Sequence, residues 1–183
     1  MHAERVTVRG YEDADAQPLL DAVIEARDTL APWMPWVNEV QGYEDRLDYV
    51  RRMRARFDDP HDDIVYGIFD RASGEYLGGT GVHRIDWNVP KFEIGYWLKP
   101  SAHGRGAATD ASRLLARMAF EDLGAARVEI RCDVNNEKSA NVPRRLGFVH
   151  EATLRCDSRT PQGGLRDTMV FALTWEQWRD KLR

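Results

Sequence analysis

The sequence predicts an α/β protein of the α+β kind, built on a mixed and mostly antiparallel central sheet of about seven strands with helices on both faces. Three observations predict it. Period-two and 3.6-period hydrophobic runs interleave along the chain. Ser73-Gly74 falls between two strand-like runs as a hairpin turn, which implies antiparallel pairing. The stretch His103-Gly-Arg-Gly-Ala-Ala-Thr-Asp-Ala111 sets two glycines and several small residues where a strand ends and an amphipathic helix begins.

Each element follows in order. Arg5 to Arg9 alternates as a first strand, and Asp13 to Leu30 reads as a helix burying Leu19, Leu20, Val23, Ile24 and Ala26. Trp33 to Trp36 is a proline-flanked loop, and Tyr43 to Phe57 is a second helix carrying Leu47, Val50, Met53 and Phe57 before the breaker Asp58-Asp59-Pro60. Ile64 to Asp70 and Tyr76 to Arg84 form the hairpin. From Lys91 to Lys99 the chain alternates, with Phe92, Ile94, Tyr96 and Leu98 on one face, Glu93, Gly95 and Trp97 on the other, and Pro100 as a stop. Leu114, Leu115, Met118, Ala119 and Leu123 then recur at helical spacing as far as Gly124. Arg127 to Asp133 is a strand, and Asn136 to Phe148 contains a polar helix entrance, a short helix and a glycine cap. An interior Pro143 would lose the hydrogen bond to the Ser139 carbonyl, so the helix either starts late, near Asn141, or kinks; the capping chemistry of Asn141 favours the late start. Two final strands around Gly163-Gly164 and a short helix from Trp175 close the chain, with no internal repeat, linker or low-complexity segment.

The glycine-rich corner carries the first functional inference. Gly104 and Gly106 let the backbone turn tightly, and the free N–H groups of a helix's first turn face whatever anion sits there. Such a corner can be a simple turn, but between a strand and a helix it suits a ligand bearing phosphates. A dinucleotide fold is weakened, because the second glycine is followed by Ala-Ala-Thr, although Glu129 lies near the spacing of a ribose-binding acid.

Several separated motifs together resemble the GNAT superfamily of acyltransferases, and within it the RimJ/RimL branch of ribosomal-protein N-acetyltransferases. His103, Gly106 and Ala108 fall on the superfamily's pyrophosphate loop, with His103 replacing the usual Gln or Arg. Asn136, Ser139, Leu146, Gly147 and Phe148 match an Asn-x-x-Ser segment before a helix ending in Leu-Gly-Phe. Leu30, Pro32, Trp33 and Trp36 match the opening segment, and Arg166-Asp167 the pair ahead of the last strand. The resemblance spans nearly the whole chain and implies acetyl-CoA as co-substrate, an amine acceptor and a branch that commonly forms dimers.

The resemblance also implies roles. The pantetheine arm is expected along Trp97 and Leu98, whose backbone offers an N–H to the thioester oxygen. His103, Gly104, Arg105, Gly106, Ala107 and Ala108 are expected at the pyrophosphate, with Asn136 and Asn141 also on the cofactor side. Glu93 points off the apolar face of its strand and is the expected general base, or else a strand glutamate in an ion pair. Ser139 is the expected acid for the departing thiolate, a role compatible with capping a helix. Trp33 and Trp36 suit a wall of the acceptor cleft, or the core. The acceptor is expected to be a protein N-terminal α-amine, with a small-molecule amine as the alternative and a non-catalytic acyl-CoA-binding module as a more distant one.

Composition sets bounds. A length of 183 residues with 43% hydrophobic content suits one domain spanning residues 1–183. A net charge of -4 argues against a nucleic-acid partner, and the Arg51 to Arg56 stretch reads as a solvated helix face. No apolar run approaches the roughly 20 residues of a membrane span, and no signal segment is evident, so the expected setting is the cytoplasm without a membrane partner. Asp58, Asp59, Asp62 and Asp63 form an acidic stretch that reads as a solvated loop or as an attractor for a cationic amine. Cys132 and Cys156 read as small buried strand residues, and the five scattered histidines give no metal spacing, so no metal is expected.

Overall fold

The computed structural model describes residues 1–58 and 63–181, without the side chains of Asp58 and Lys181. Asp59, Pro60 and Asp62, part of the breaker and acidic stretch, lie outside the described residues. Seven strands, β1 (Val6–Arg9), β2 (Ile64–Asp70), β3 (Tyr76–Asp86), β4 (Lys91–Leu98), β5 (Arg127–Asp133), β6 (Val149–Arg159) and β7 (Leu165–Thr174), form one sheet in the order β1-β2-β3-β4-β5-β7-β6. Every neighbouring pair is antiparallel except β4 and β5. The helices are α1 (Ala16–Leu30), α2 (Tyr43–Ala55), α3 (Ala107–Arg117), α4 (Glu137–Leu146) and α5 (Trp175–Lys181). None is long and apolar enough to cross a membrane.

Two buried clusters cover the two faces of the sheet. One joins Phe92, Ile94 and Leu98 of β4 to Ala111, Leu114 and Leu115 of α3 and to Trp178 of α5. The other joins Leu19, Val23 and Ala26 of α1 to Val50 and Met53 of α2, with Trp97 of β4 packed against it. Alternate residues of β4 therefore face opposite layers, as its period-two pattern requires. Along α1 the buried line runs Leu19, Val23, Ala26, Leu30, whereas Ile24, expected inside, is 56% exposed. A helix turns 100° per residue, and only the 19-23-26-30 spacing stays on one side.

Three further expectations are corrected. The helix expected near Asn141 begins at Glu137: Asn136 caps it, its Oδ1 accepting the Ser139 N–H at 3.1 Å. Pro143 thus lies inside α4, which ends on a left-handed Gly147 with the Phe148 N–H donating to the Pro143 carbonyl at 2.9 Å. Cys156 is exposed rather than buried, because it sits at φ 53° where β6 shifts register against β7; Cys132 is half-buried. Arg166 and Asp167 lie within β7 rather than ahead of it, Asp167 Oδ1 accepting the Cys156 N–H at 2.8 Å across that irregularity.

Candidate active site

The parallel strands β4 and β5 pair only from Lys91 to Glu93 against Arg127 to Glu129. Beyond that, β5 pairs with β7 alone, and the β5-facing edge of Ile94 to Leu98 has no strand partner. The sheet opens there as a wedge. The β4 side chains at the wedge face different layers, Tyr96 and Leu98 in the cluster with α3 and Trp97 in the cluster with α1 and α2.

On the α3 side, Gly104 and Gly106 adopt φ of 76° and 80°, a conformation costly for any residue with a Cβ. Gly106 leads directly into α3, and among the described residues no side chain caps that turn. The first intrahelical bond runs from the Asp110 N–H to the Gly106 carbonyl, leaving the amides of the first turn unspent. His103, Gly104 and Arg105 are exposed, and a basin of about 480 Å³ beside the turn is edged by Arg5, Arg71 and Arg105 and by the acids Glu4 and Asp70. Asp110 would oppose an anion in this turn, but Arg5 and Arg113 each donate to it at 3.0 Å and neutralise it. The His103 ring turns back onto β4, with Nε2 3.1 Å from the Leu98 carbonyl. It fastens the loop to the strand it leaves.

Farther along the same face, α4 presents Ser139 toward β4 and β5. The Tyr96 hydroxyl donates to the Ser139 carbonyl at 2.8 Å and lies 3.2 Å from Ser139 Oγ. That carbonyl is the one Pro143 cannot serve, so a strand side chain supplies the hydrogen bond missing from the helix. Burial pushes the Tyr96 phenol up, and it pushes the Cys132 thiol on β5 up to about 11 against the pull of a hydrogen bond with Ser139. Tyr96, Ser139 and Cys132 thus meet at the wedge, whereas sequence reasoning assigns Tyr96 and Cys132 only to packing. The oxygen of Asn136 is committed to its cap, which leaves its amide nitrogen for a ligand. Asn141 is half-buried on α4, its Oδ1 3.4 Å from Arg144 Nη1.

On the opposite face of β4 stand Glu93 and Trp97. The Glu93 side chain is 18% exposed; Arg84 Nη1 approaches Oε2 at 3.2 Å, yet that oxygen is buried without an aligned hydrogen-bond donor. Burial pushes the Glu93 carboxyl up, opposed by Arg84, Arg131 and His83 and reinforced by Glu129. Glu93 is thus held in an ion pair with Arg84 while its burial favours the protonated form. Four residues on, about 13 Å along the strand, the Trp97 indole lies over Gly79, where a Cβ would come within 2.6 Å of its Nε1. Trp36 meets Trp97 edge-on at 5.7 Å. Trp36, Trp97, Tyr11, Tyr49 and Arg46 line a cavity of about 440 Å³ between α1, α2 and the sheet. Trp33, half-buried, does not line it.

Residues 5–149 match a family model described as an acetyltransferase (GNAT) domain. The chain belongs to the GNAT acetyltransferase family. Among relatives of this GNAT enzyme, YdaF of Bacillus subtilis (strain 168), which carries the name of a ribosomal N-acetyltransferase, is 30% identical over 179 residues, covering 96% of this chain and 94% of that protein. The ribosomal-protein-serine acetyltransferase of Escherichia coli (strain K12) is 26% identical over 160 residues, 84% of each chain. A solved structure of RimL, a ribosomal L7/L12 α-N-protein acetyltransferase in complex with coenzyme A, has the same fold with a TM-score of 0.85 at 22% identity, covering 94% of this chain and 95% of that one.

Proposed function

We propose that this N-acetyltransferase moves the acetyl group of acetyl-CoA to a protein N-terminal α-amine by direct transfer within the β4–β5 wedge. The observation that carries the proposal is the wedge itself. An uncapped amide turn lies at the head of α3 in one layer and an aromatic cavity reaches Trp97 in the other, so in this reading a thioester and an amine approach one point from opposite sides. The names of YdaF and of the Escherichia coli relative support a ribosomal-protein acceptor.

In this reading the amides and side chain of Arg105 to Ala108 hold the diphosphate, and Asn136 holds the pantetheine arm through its amide nitrogen. The backbone beyond Glu93, near Trp97 and Leu98, offers an N–H to the thioester oxygen as negative charge develops there. Glu93 takes the proton from the amine, directly or through water, as the new C–N bond forms. Ser139 gives its proton to the sulfur as the C–S bond breaks. Trp36 and Trp97 wall the approach of the amine.

The test is to incubate the protein with acetyl-CoA and a panel of peptide N-termini, polyamines and aminoglycosides, and to follow free thiol. Peptide N-termini should turn over with the highest kcat/KM. Turnover confined to small amines would instead favour the second reading, a small-molecule N-acetyltransferase. MccE, an acetyltransferase of microcin C7 self-immunity with the same fold at TM-score 0.85, is described in complex with acetyl-CoA and AMP, so the architecture also serves proteins named for other tasks.

A further inference from the structure

Arg46 has no part in the chemistry above, yet its position needs an explanation. It stands on α2 among charged neighbours, but its residue is only 8% exposed. A guanidinium carries five N–H donors and is costly to bury unless they are used. Among the described residues one acceptor is in reach: Asp45 Oδ2, which takes an Nη2 proton at 2.9 Å. Nε is buried with no hydrogen-bond partner, and the guanidinium lies 5.0 Å over the Tyr49 ring. This incompletely used cation lines the 440 Å³ cavity with Trp36, Trp97 and Tyr11.

We infer that Arg46 reads the acceptor by donating to an sp² oxygen near its reactive amine, a carbonyl or a carboxylate. This inference rests on the acetyl-transfer reading and narrows its substrate class to peptides and amino acids. The charges of the cavity lining offset one another, and Arg46 is the buried cation among them. Asp45 Oδ2 takes both the Arg46 Nη2 proton and the Gln41 N–H at 3.2 Å, while Glu39 and Arg52, both exposed, bring opposite charges to the lining. A polyamine brings no sp² oxygen, and the protonated amines beyond its reacting nitrogen are repelled by Arg46. A peptide brings carbonyl oxygens together with flat amide groups that suit the indole and phenol walls.

The experiment compares serine, the amide-capped peptide Ser-Ala-Ala and spermidine as acceptors of the wild type, Arg46→Met and Arg46→Lys, with melting curves to confirm folding. The wild type should prefer serine or the peptide over spermidine by roughly tenfold or more in kcat/KM, the size expected of one charge-assisted hydrogen bond. Arg46→Met should remove that preference through KM while kcat holds. Arg46→Lys, which keeps the charge but loses the planar fork, should restore only part of it. Serine ahead of the peptide would identify a carboxylate as the partner, and the reverse an amide carbonyl. Spermidine as the best wild-type acceptor, or unchanged KM values in a folded Arg46→Met, would overturn the inference.

A parallel titration follows tryptophan fluorescence with the same three compounds and no acetyl-CoA, since Trp36 and Trp97 line the cavity. Quenching by peptide or serine that depends on Arg46, without thiol release from any acceptor, would sink acetyl transfer and leave the role of Arg46 standing. Turnover indifferent to Arg46 would do the reverse. Absence of both signals overturns the inference.

Discussion

In the proposed mechanism the pH dependence of turnover falls on the Glu93 carboxyl. Its pKa is raised chiefly by burial, so the acid limb of kcat/KM should fall above the ordinary glutamate range rather than within it. Glu93→Gln should abolish that limb and slow turnover by roughly 10²-fold or more, as expected for loss of a general base. The stability effect has the opposite sense. A carboxyl with a folded pKa above its unfolded one favours the fold at low pH, and this contribution is lost as pH rises through the folded value. Glu93→Gln should therefore melt no lower than the wild type at neutral pH, with any advantage closing on acidification; denaturation across pH 4 to 8 measures it. The direction of Glu93 is legible from strand alternation. Its environment is not, because His83, Arg84 and Arg131 come from strands apart from its own. Arg46 has a readable signal that charge obscures: positions 46, 50 and 53 fall on one helical line, and the sequence already marks Val50 and Met53 as apolar positions of that helix.

At the scale of elements, α4 shows how one strand alters the rules for one helix. Sequence reasoning moves the helix start to Asn141 to keep Pro143 out of its interior. The structure instead begins the helix at Glu137 and lets the Tyr96 hydroxyl serve the Ser139 carbonyl. Nothing near Pro143 in sequence announces that donor, which lies 43 residues from Ser139. Tyr96→Phe should lower stability by about 1–2 kcal/mol, the cost of leaving such an acceptor unserved. In a Pro143→Ala background the same change should cost less, because the substituted alanine returns a backbone N–H to that carbonyl; urea denaturation of the four proteins completes the cycle. The succession of strands and helices along the chain, the hairpin and the glycine corner are legible because each depends on local turns and period. The β4–β5 wedge is not, since it depends on β7 pairing with β5 beyond the last shared rung.

For the whole molecule, the proposed seating of acetyl-CoA at the uncapped turn of α3 makes stability responsive to ligand. Acetyl-CoA at a hundred times its Kd should add about 2.7 kcal/mol to the free energy of unfolding. For a chain of this size that raises Tm by roughly 5–10 °C, and a thermal-shift titration reads it directly. The margin of the sheet formed by β6 has a different consequence. That outermost strand is largely uncovered, with Val149 45% and Leu154 37% exposed, yet its register slips twice against β7 and Cys156 turns it into the left-handed region. A ribbon crimped in this way makes a poor template for continuous main-chain annealing by a neighbouring copy. The slipped register of that border thus guards against edge-to-edge extension of the sheet.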